Sequence, residues 1–434
     1  MVPVGGLAQT SKRLIKVAGR DATKFLNGLV TSRFLPDIKK KKQHTISAVD
    51  DAHADLASVV DIHTNWGLMH EDIYDPMNHI TISRDGINSM FLTSKGRVVT
   101  DSFIYVSPFA GNESVLSQHP EYLVEVDEAM VKRLMSLLKL HKLGAKVTIE
   151  ETPYLSYYYY HDSFEFDQWL DQVQDAYFTS TTPAEGLQNA NSFIKSELFS
   201  TKAQSLITGF AFDNRIPNFG VKIVTTEPVD EVFSSENFSF EQTKVDEIDV
   251  TRRRYVNGLF EVGDAPVGTT LLPFETNLDY MNGLSLEKGC YVGQELTIRT
   301  YNNGIIRKRV VPIQFHPANE ELEGTLEAPE LEIGGAVSDF AATIPAESDV
   351  IAAVEEPESA PATPVAASPF GTSSKPVRKR KSSNGKVLST RDNLGFALMN
   401  LNDLEKTHEY KVDVDGTTMG ATAFIPQWWP QEEP

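Results

Sequence analysis

The alternation of hydrophobic and polar positions predicts strands first and short helices between them. Leu14-Ile15-Lys16-Val17 reads as a strand, and Asp21 stands as the N-cap of a helix carrying Phe25, Leu26 and Leu29 on one face. Ile73 to Val106 predicts strand, turn and strand. Asp85-Gly86 and Lys95-Gly96 supply the turn chemistry there, and Phe103-Ile104-Tyr105-Val106 is rich in β formers. Tyr122 to Val126 predicts a further strand. Val131, Leu134, Leu138 and His141 share a helical face, with Gly144 as the stop before a strand from Lys146 to Ile149. Helices set among antiparallel hairpins indicate an α+β fold and argue against a doubly wound sheet.

The pattern weakens from Tyr157 to about Lys202. Phe166, Trp169, Leu170 and Val173 are spaced for an amphipathic helix, whereas Thr179 to Pro183 and Gln188 to Asn191 read as loops. Residues 162–202 are therefore expected to form an insertion, and the Tyr157–Tyr160 run to pack, since alternate tyrosines on a strand fill one face. Further on, every charge from Glu320 to Glu358 is acidic and every charge from Ser368 to Arg391 is basic, with a Pro/Ala/Ser stretch between. Such composition buries too little apolar surface to offset ordering entropy, so about Ile344 to Asn384 is expected to be disordered. Strand patterns resume at Gly395–Met399, Tyr410–Val414 and Thr422–Ile425, so this segment would interrupt a small β domain.

Charge and cysteine content narrow the function. The 434 residues suggest about three domains. A formal charge of −20 argues against a general nucleic-acid binder, and the Arg378–Lys381 run is read as a solvated linker charge. Cys290 is the single cysteine, which excludes a disulfide framework and any cluster held by several of the chain's own thiolates. A reducing compartment fits. No run approaches the ~20 apolar residues of a membrane span. Lys12, Arg13, Lys16 and Arg20 precede the first acid, as in a transit peptide, but the residues around Leu14 read better as strand.

The familiar catalytic motifs are missing: GxxxxGK, GxGxxG, HExxH and GxSxG do not occur. The informative stretch is Asn257 to Arg309. It holds Gly258-Leu259-Phe260-Glu261 and then Lys288-Gly289-Cys290-Tyr291-Val292-Gly293-Gln294-Glu295, followed by Arg299, Gly304 and Arg307. Glycines four residues apart around an aromatic predict a tight loop, and Gly293-Gln294-Glu295 a helix start. Cys290, beside a lysine and near that helix start, stands in a setting that favours the thiolate.

The Lys288–Glu295 motif with its downstream arginine and glycine resembles the hallmark of the YgfZ branch of the folate-dependent aminomethyltransferase (glycine-cleavage T-protein) superfamily. Val17–Ala22 with Phe25-Leu26, Leu92–Arg97, and Asp213-x-Arg215 with Gly220 are similar to other elements of that family. The resemblance implies an α+β, GcvT-like folate-binding core of ferredoxin-like units at 11–313 and a C-terminal β-barrel domain at 314–434. Eukaryotic members of this branch are mitochondrial matrix factors for iron–sulfur cluster maturation, and the long insertions resemble a fungal version. A-type scaffold proteins as partners, and [4Fe–4S] clients such as aconitase-type dehydratases and radical-SAM enzymes making lipoate and biotin, are then expected. Lys288, Gly289, Cys290, Tyr291, Gly293, Gln294 and Glu295 form the functional motif, with Cys290 as one ligand of a shared, transient cluster. Glu261 stands where the superfamily places a pterin-binding glutamate, with Arg215, Lys288, Arg299 and Arg307 available to the tail of a tetrahydrofolate. Where glycine-cleavage enzymes carry two adjacent acids, this chain has Thr100 and Asp101, and the missing first acid argues against catalysis of aminomethyl transfer. A tetrahydrofolate-dependent aminomethyl or one-carbon transferase is the alternative.

Overall fold

The computed structural model describes residues 2–34, 67–71, 80–111, 119–318, 328–353 and 383–430. Two antiparallel sheets form the core. The first has the order β5-β6-β7-β2-β8, from β2 (Arg13–Ala18), β5 (Gly86–Leu92), β6 (Val98–Val106), β7 (Glu121–Val126) and β8 (Thr148–Thr152). The second has the order β1-β9-β11-β10, from β1 (Gly5–Gln9), β9 (Leu155–His161), β10 (Ile207–Phe212) and β11 (Val221–Thr225). Strands β3 (Leu68–Glu71) and β4 (Ile80–Ser83) pair with each other. Residues 73–79 of the expected strand lie outside the described residues.

Alternation along the strands sorts side chains into layers. Leu14, Phe103, Tyr105 and Leu123 of the first sheet meet Ala211 and Val224 of the second. Their neighbours Ile15, Ile104, Val106 and Val124 face away, under α1 (Ala22–Asn27) and α2 (Val131–Lys142). The outer face of the second sheet is covered by α3 (Phe164–Tyr177), α4 (Pro183–Ile194) and α5 (Thr201–Leu206), which contribute Phe166, Leu170, Phe193 and Ala203 to the core. The result is a four-layer sandwich of helix, sheet, sheet and helix. The tyrosine run serves both faces: Tyr157 and Tyr159 pack beneath these helices, and Tyr158 and Tyr160 pack with Phe219, Val250 and Leu259.

Two local expectations need correction. Gln188–Asn191 is helical, because Thr182 caps α4, Pro183 opens it, and Gly186, Ala190, Phe193 and Ile194 give it a buried stripe. At the end of α2 it is Leu143, at φ 40°, that enters the left-handed region rather than Gly144.

Helix α6 (Glu247–Val256) joins the units through three consecutive arginines. Arg252 pairs with Asp392 at 2.9 Å, Arg253 with Asp162 at 2.6 Å and Arg254 with Asp264 at 2.8 Å. A run that resembles a nucleic-acid patch is thus neutralised internally.

The C-terminal domain is a closed barrel in the order β12-β15-β14-β13-β16-β17, from β12 (Lys308–Pro317), β13 (Asp349–Ala352), β14 (Gly385–Arg391), β15 (Leu394–Asn400), β16 (Glu409–Val414) and β17 (Thr417–Ala423). Inward residues such as Ile313, Phe315, Val387, Met399 and Val412 fill it. Asp415 and Gly416, both at positive φ, make the two-residue turn between β16 and β17. The barrel starts at Lys308 rather than 314, and β1 places the core's start ahead of residue 11.

Disorder from Ile344 onward was expected, but Ile344 is buried and β13 closes the barrel between β14 and β16. Apolar positions at Ile344 and Val350 outweigh the polar composition around them. Residues 354–382 lie outside the described residues, and the basic run with them. Because β13 and β14 are antiparallel neighbours with Val350 opposite Gly385, the ends of that segment are close together. Replacing 354–382 by a short Gly/Ser linker is expected to leave the thermal midpoint unchanged by calorimetry. Replacing 344–384 removes the closing strand and should unfold the barrel.

Candidate functional site

The Lys288–Glu295 motif is a loop fastened through Lys288, Tyr291, Val292, Gly293 and Gln294. Lys288 is buried and its Nζ donates to the carbonyls of Asn27, Val30 and Ser32 at 2.7, 2.6 and 2.7 Å. The same ammonium lies 4.7 Å from the centre of the Tyr291 ring, a cation–π distance. Tyr291 is buried among Leu92, Val98 and Phe274, and burial pushes its phenol up to about 12. The Val292 N–H donates to Gly28 O at 3.1 Å, and the Tyr291 N–H to Gln294 Oε1 at 3.3 Å.

Gly293 opens α7 (Gln294–Asn303) at φ 83°, as the glycine spacing predicts. A Cβ there would stand 2.5 Å from Thr93 O and 3.1 Å from the Cα of Gly96, itself at φ 74°. Only two glycines allow the hairpin turn to seat on the helix start. Gly289 is half-buried, and Glu295 is exposed in the first turn of α7.

Cys290 is exposed. A thiol kept as apolar filler would be buried, and Cys290 is not. The expectation that Lys288 tunes the thiol or meets a folate tail fails, since its ammonium is directed at backbone carbonyls.

A second cluster lies at Glu261. Its Oε1 accepts from Arg215 Nη1 at 2.7 Å, and its Oε2 from Lys12 Nζ at 2.8 Å. Arg215 also forks onto Asp213 through Nε and Nη2, both at 2.7 Å, which explains the Asp-x-Arg spacing. Burial alone would raise the Glu261 pKa, but Arg254, Lys12 and Arg215 hold it well below the usual carboxylate range. For Asp101, burial and the nearby Glu261 charge outweigh Lys12 and raise its pKa. Between the sheets, Lys222 pairs with Glu125 at 3.0 Å, and Tyr105 donates to Glu125 at 2.9 Å.

Alternation on β6 decides which residue faces this cluster. The Asp101 carboxylate accepts from Val262 N at 3.3 Å and lines the cleft with Lys12 and Glu261, while Thr100 is wholly buried. The Thr100 position therefore does not deprive the cleft of an acid. Sequence reasoning missed Lys12, which meets Glu261 across 249 residues of chain. It also misplaced Arg299 and Arg307. Both are exposed, on the α7 face and just before β12, and neither lines the cleft.

A cavity of about 390 Å³ opens beside Glu261, lined also by Lys12, Tyr158, Arg215, Phe219 and Lys222. That volume falls within the range of small-molecule sites, roughly 300–1,000 Å³. Each Glu261 oxygen has two lone pairs and one close cationic donor, which leaves acceptor capacity on both. The donor set and the aromatic wall fit the aminopyrimidine edge of a reduced pterin.

The chain is 49% identical to the "Iron-sulfur cluster assembly factor IBA57 homolog, mitochondrial" of Debaryomyces hansenii, over 99% of each chain. It is equally similar, 49% over 99% of each, to the protein of that name in Candida albicans. The chain belongs to the IBA57 family. The Saccharomyces cerevisiae member is 32% identical over 70% of this chain and 67% of its own length. Residues 307–431 match the family model "CAF17, C-terminal beta-barrel domain", which agrees with a barrel that begins at Lys308. A glycine cleavage system aminomethyltransferase T from Bartonella henselae superposes with a TM-score of 0.49 at 10% identity, covering 98% of this chain and 86% of that one.

Proposed function

We propose that this IBA57-family chain assists [4Fe–4S] cluster maturation in the mitochondrial matrix, with Cys290 supplying one thiolate to a cluster shared with an A-type scaffold protein. The observation that carries the reading is a single exposed cysteine on a loop whose neighbours are pinned by Lys288, Tyr291 and Gly293. Iron prefers thiolate, and one cysteine cannot hold a cluster. Among the described residues no group of three or more His, Cys, Asp or Glu could hold a metal ion. In this reading the remaining ligands come from the partner, and the cluster is cargo. Aconitase-type dehydratases and radical-SAM enzymes making lipoate and biotin are the clients we propose. Cells lacking the protein should lose aconitase activity and protein-bound lipoate, while tetrahydrofolate-dependent aminomethyl transfer, assayed in extract with a lipoylated carrier supplied, persists. The reverse pattern would overturn the reading.

The Asp101 carboxylate beside Glu261 favours a second reading, a tetrahydrofolate-dependent one-carbon transferase. Tetrahydrofolate, when bound, supplies the nitrogen atoms that carry a one-carbon unit. The chain's part would be to accept pterin N–H groups at Glu261 and to hold that carboxylate in place with Lys12 and Arg215. Glu261→Gln presents a donor where the pterin also donates. It is expected to weaken binding of a reduced folate by about 1.5–3 kcal/mol, as for hydrogen bonds to a charged group. Calorimetry checks this, and equal affinity in the variant would remove Glu261 from the assignment.

A further inference from the structure

Helix α2 carries a surface that neither site uses. From Val131 to Lys146 the chain has Lys132, Arg133, Lys139, Lys142 and Lys146 and not one acid, within a protein of formal charge −20. The inner stripe Val131, Leu134 and Leu138 is buried against the first sheet, so the helix is already anchored. The outer stripe recurs at steps of three and four residues: Lys132, Arg133, Ser136, Lys139, Leu140 and Leu143 are all exposed. Leu140 is 72% exposed and Leu143 90%. Among the described residues none of the five cations has an acid within ion-pair distance.

We propose that α2 and the Leu143–Lys146 turn form a docking surface for an anionic phospholipid membrane. Charge complementarity carries this. An acidic chain is repelled by an anionic bilayer in every orientation except one that turns a basic patch toward it. The apolar residues fit the same occupant. Two leucines at the end of a helix, ringed by lysines, match an interfacial amphipathic helix, whose leucines enter the headgroup region while lysine stems reach along it. Shape separates a bilayer from an acidic protein. The patch is a convex tip, where a Cβ added to Gly144 would meet nothing within 4 Å, and a tip needs no complementary groove in a fluid surface. No described helix is long and apolar enough to cross a membrane, so the contact is peripheral.

Flotation of the full chain with vesicles tests the proposal. One set is phosphatidylcholine alone; the other contains about a third cardiolipin, enough for a strongly negative surface. At low salt the bound fraction should be at least about tenfold higher on the anionic vesicles and fall as salt is raised. Lys139→Glu with Lys142→Glu should abolish the preference. Leu140→Ser with Leu143→Ser should weaken binding about tenfold while its salt dependence persists. Lys139, Leu140 and Leu143 are exposed and Lys142 is half-buried with no ion-pair partner among the described residues, so both double variants should keep the wild-type thermal midpoint. Equal binding to the two vesicle types, or wild-type binding by both variants, would overturn the proposal. Capture by polyglutamate beads without any vesicle binding would overturn it in favour of an acidic protein partner.

Discussion

Replacing Cys290 by serine is expected to leave the fold intact and to abolish rescue of aconitase and lipoate synthesis in cells lacking the protein. The thiol is exposed, so the swap opens no cavity, and the thermal midpoint should stay within about a degree of wild type. A serine hydroxyl is hardly ionised at neutral pH and is a poor ligand for a soft metal. Activity should therefore fall by more than about tenfold, since removing one good ligand removes more than the ~1.4 kcal/mol that a factor of ten represents. Full rescue at native abundance would reduce the motif to a device for shaping a loop.

Lys288→Met is expected to damage stability most among substitutions in the motif. The change leaves the Asn27, Val30 and Ser32 carbonyls facing an apolar group in a buried site. Each unsatisfied polar group costs about 1–3 kcal/mol, so a loss of roughly 3 kcal/mol or more in urea unfolding follows. Those carbonyls run from the last residue of α1 into the segment that follows it, and that segment holds Val292 through Gly28. Cys290 would then remain in the chain but lose its fixed placement, and rescue should fail although the thiol is intact. Unchanged unfolding free energy would show that the lysine is not the fastening.

The two substitutions separate presentation from chemistry. One removes the sulfur and spares the loop, and the other loosens the loop and spares the sulfur. Loss of function in both, with loss of stability in only one, is the signature of a rigidly displayed thiol.

Local chemistry made much of this molecule legible in the sequence. The α+β class, the helix starting at Gln294 and the late β strands followed from periodicity and turn residues, because those signals act over a few positions. Cys290 stood out because its motif is contiguous. Lys288 was misread, because its carbonyl acceptors lie more than 250 residues earlier in the chain. Lys12 gave no signal, since a lysine at the start of a strand looks like any other until the fold brings Glu261 to it. The Asp101 orientation was available in principle. Thr100 and Asp101 are neighbours on β6, so they face opposite sides, and Phe103 on the side of Asp101 marks the inter-sheet face. The segment around β13 shows the opposite failure. Polar composition concealed a short strand whose few apolar residues are all the barrel needs for closure.

Cluster sharing through Cys290 is the claim on which the account rests. Its most direct test is visible circular dichroism of the purified chain mixed with a cluster-loaded A-type scaffold protein. Each sulfur ligand contributes its own charge-transfer bands, so a change of ligand changes the spectrum. Wild-type chain should produce a new, stoichiometric spectrum and a co-eluting complex, and Cys290→Ser should leave the spectrum of the scaffold alone. An identical spectral change with both proteins would contradict the account.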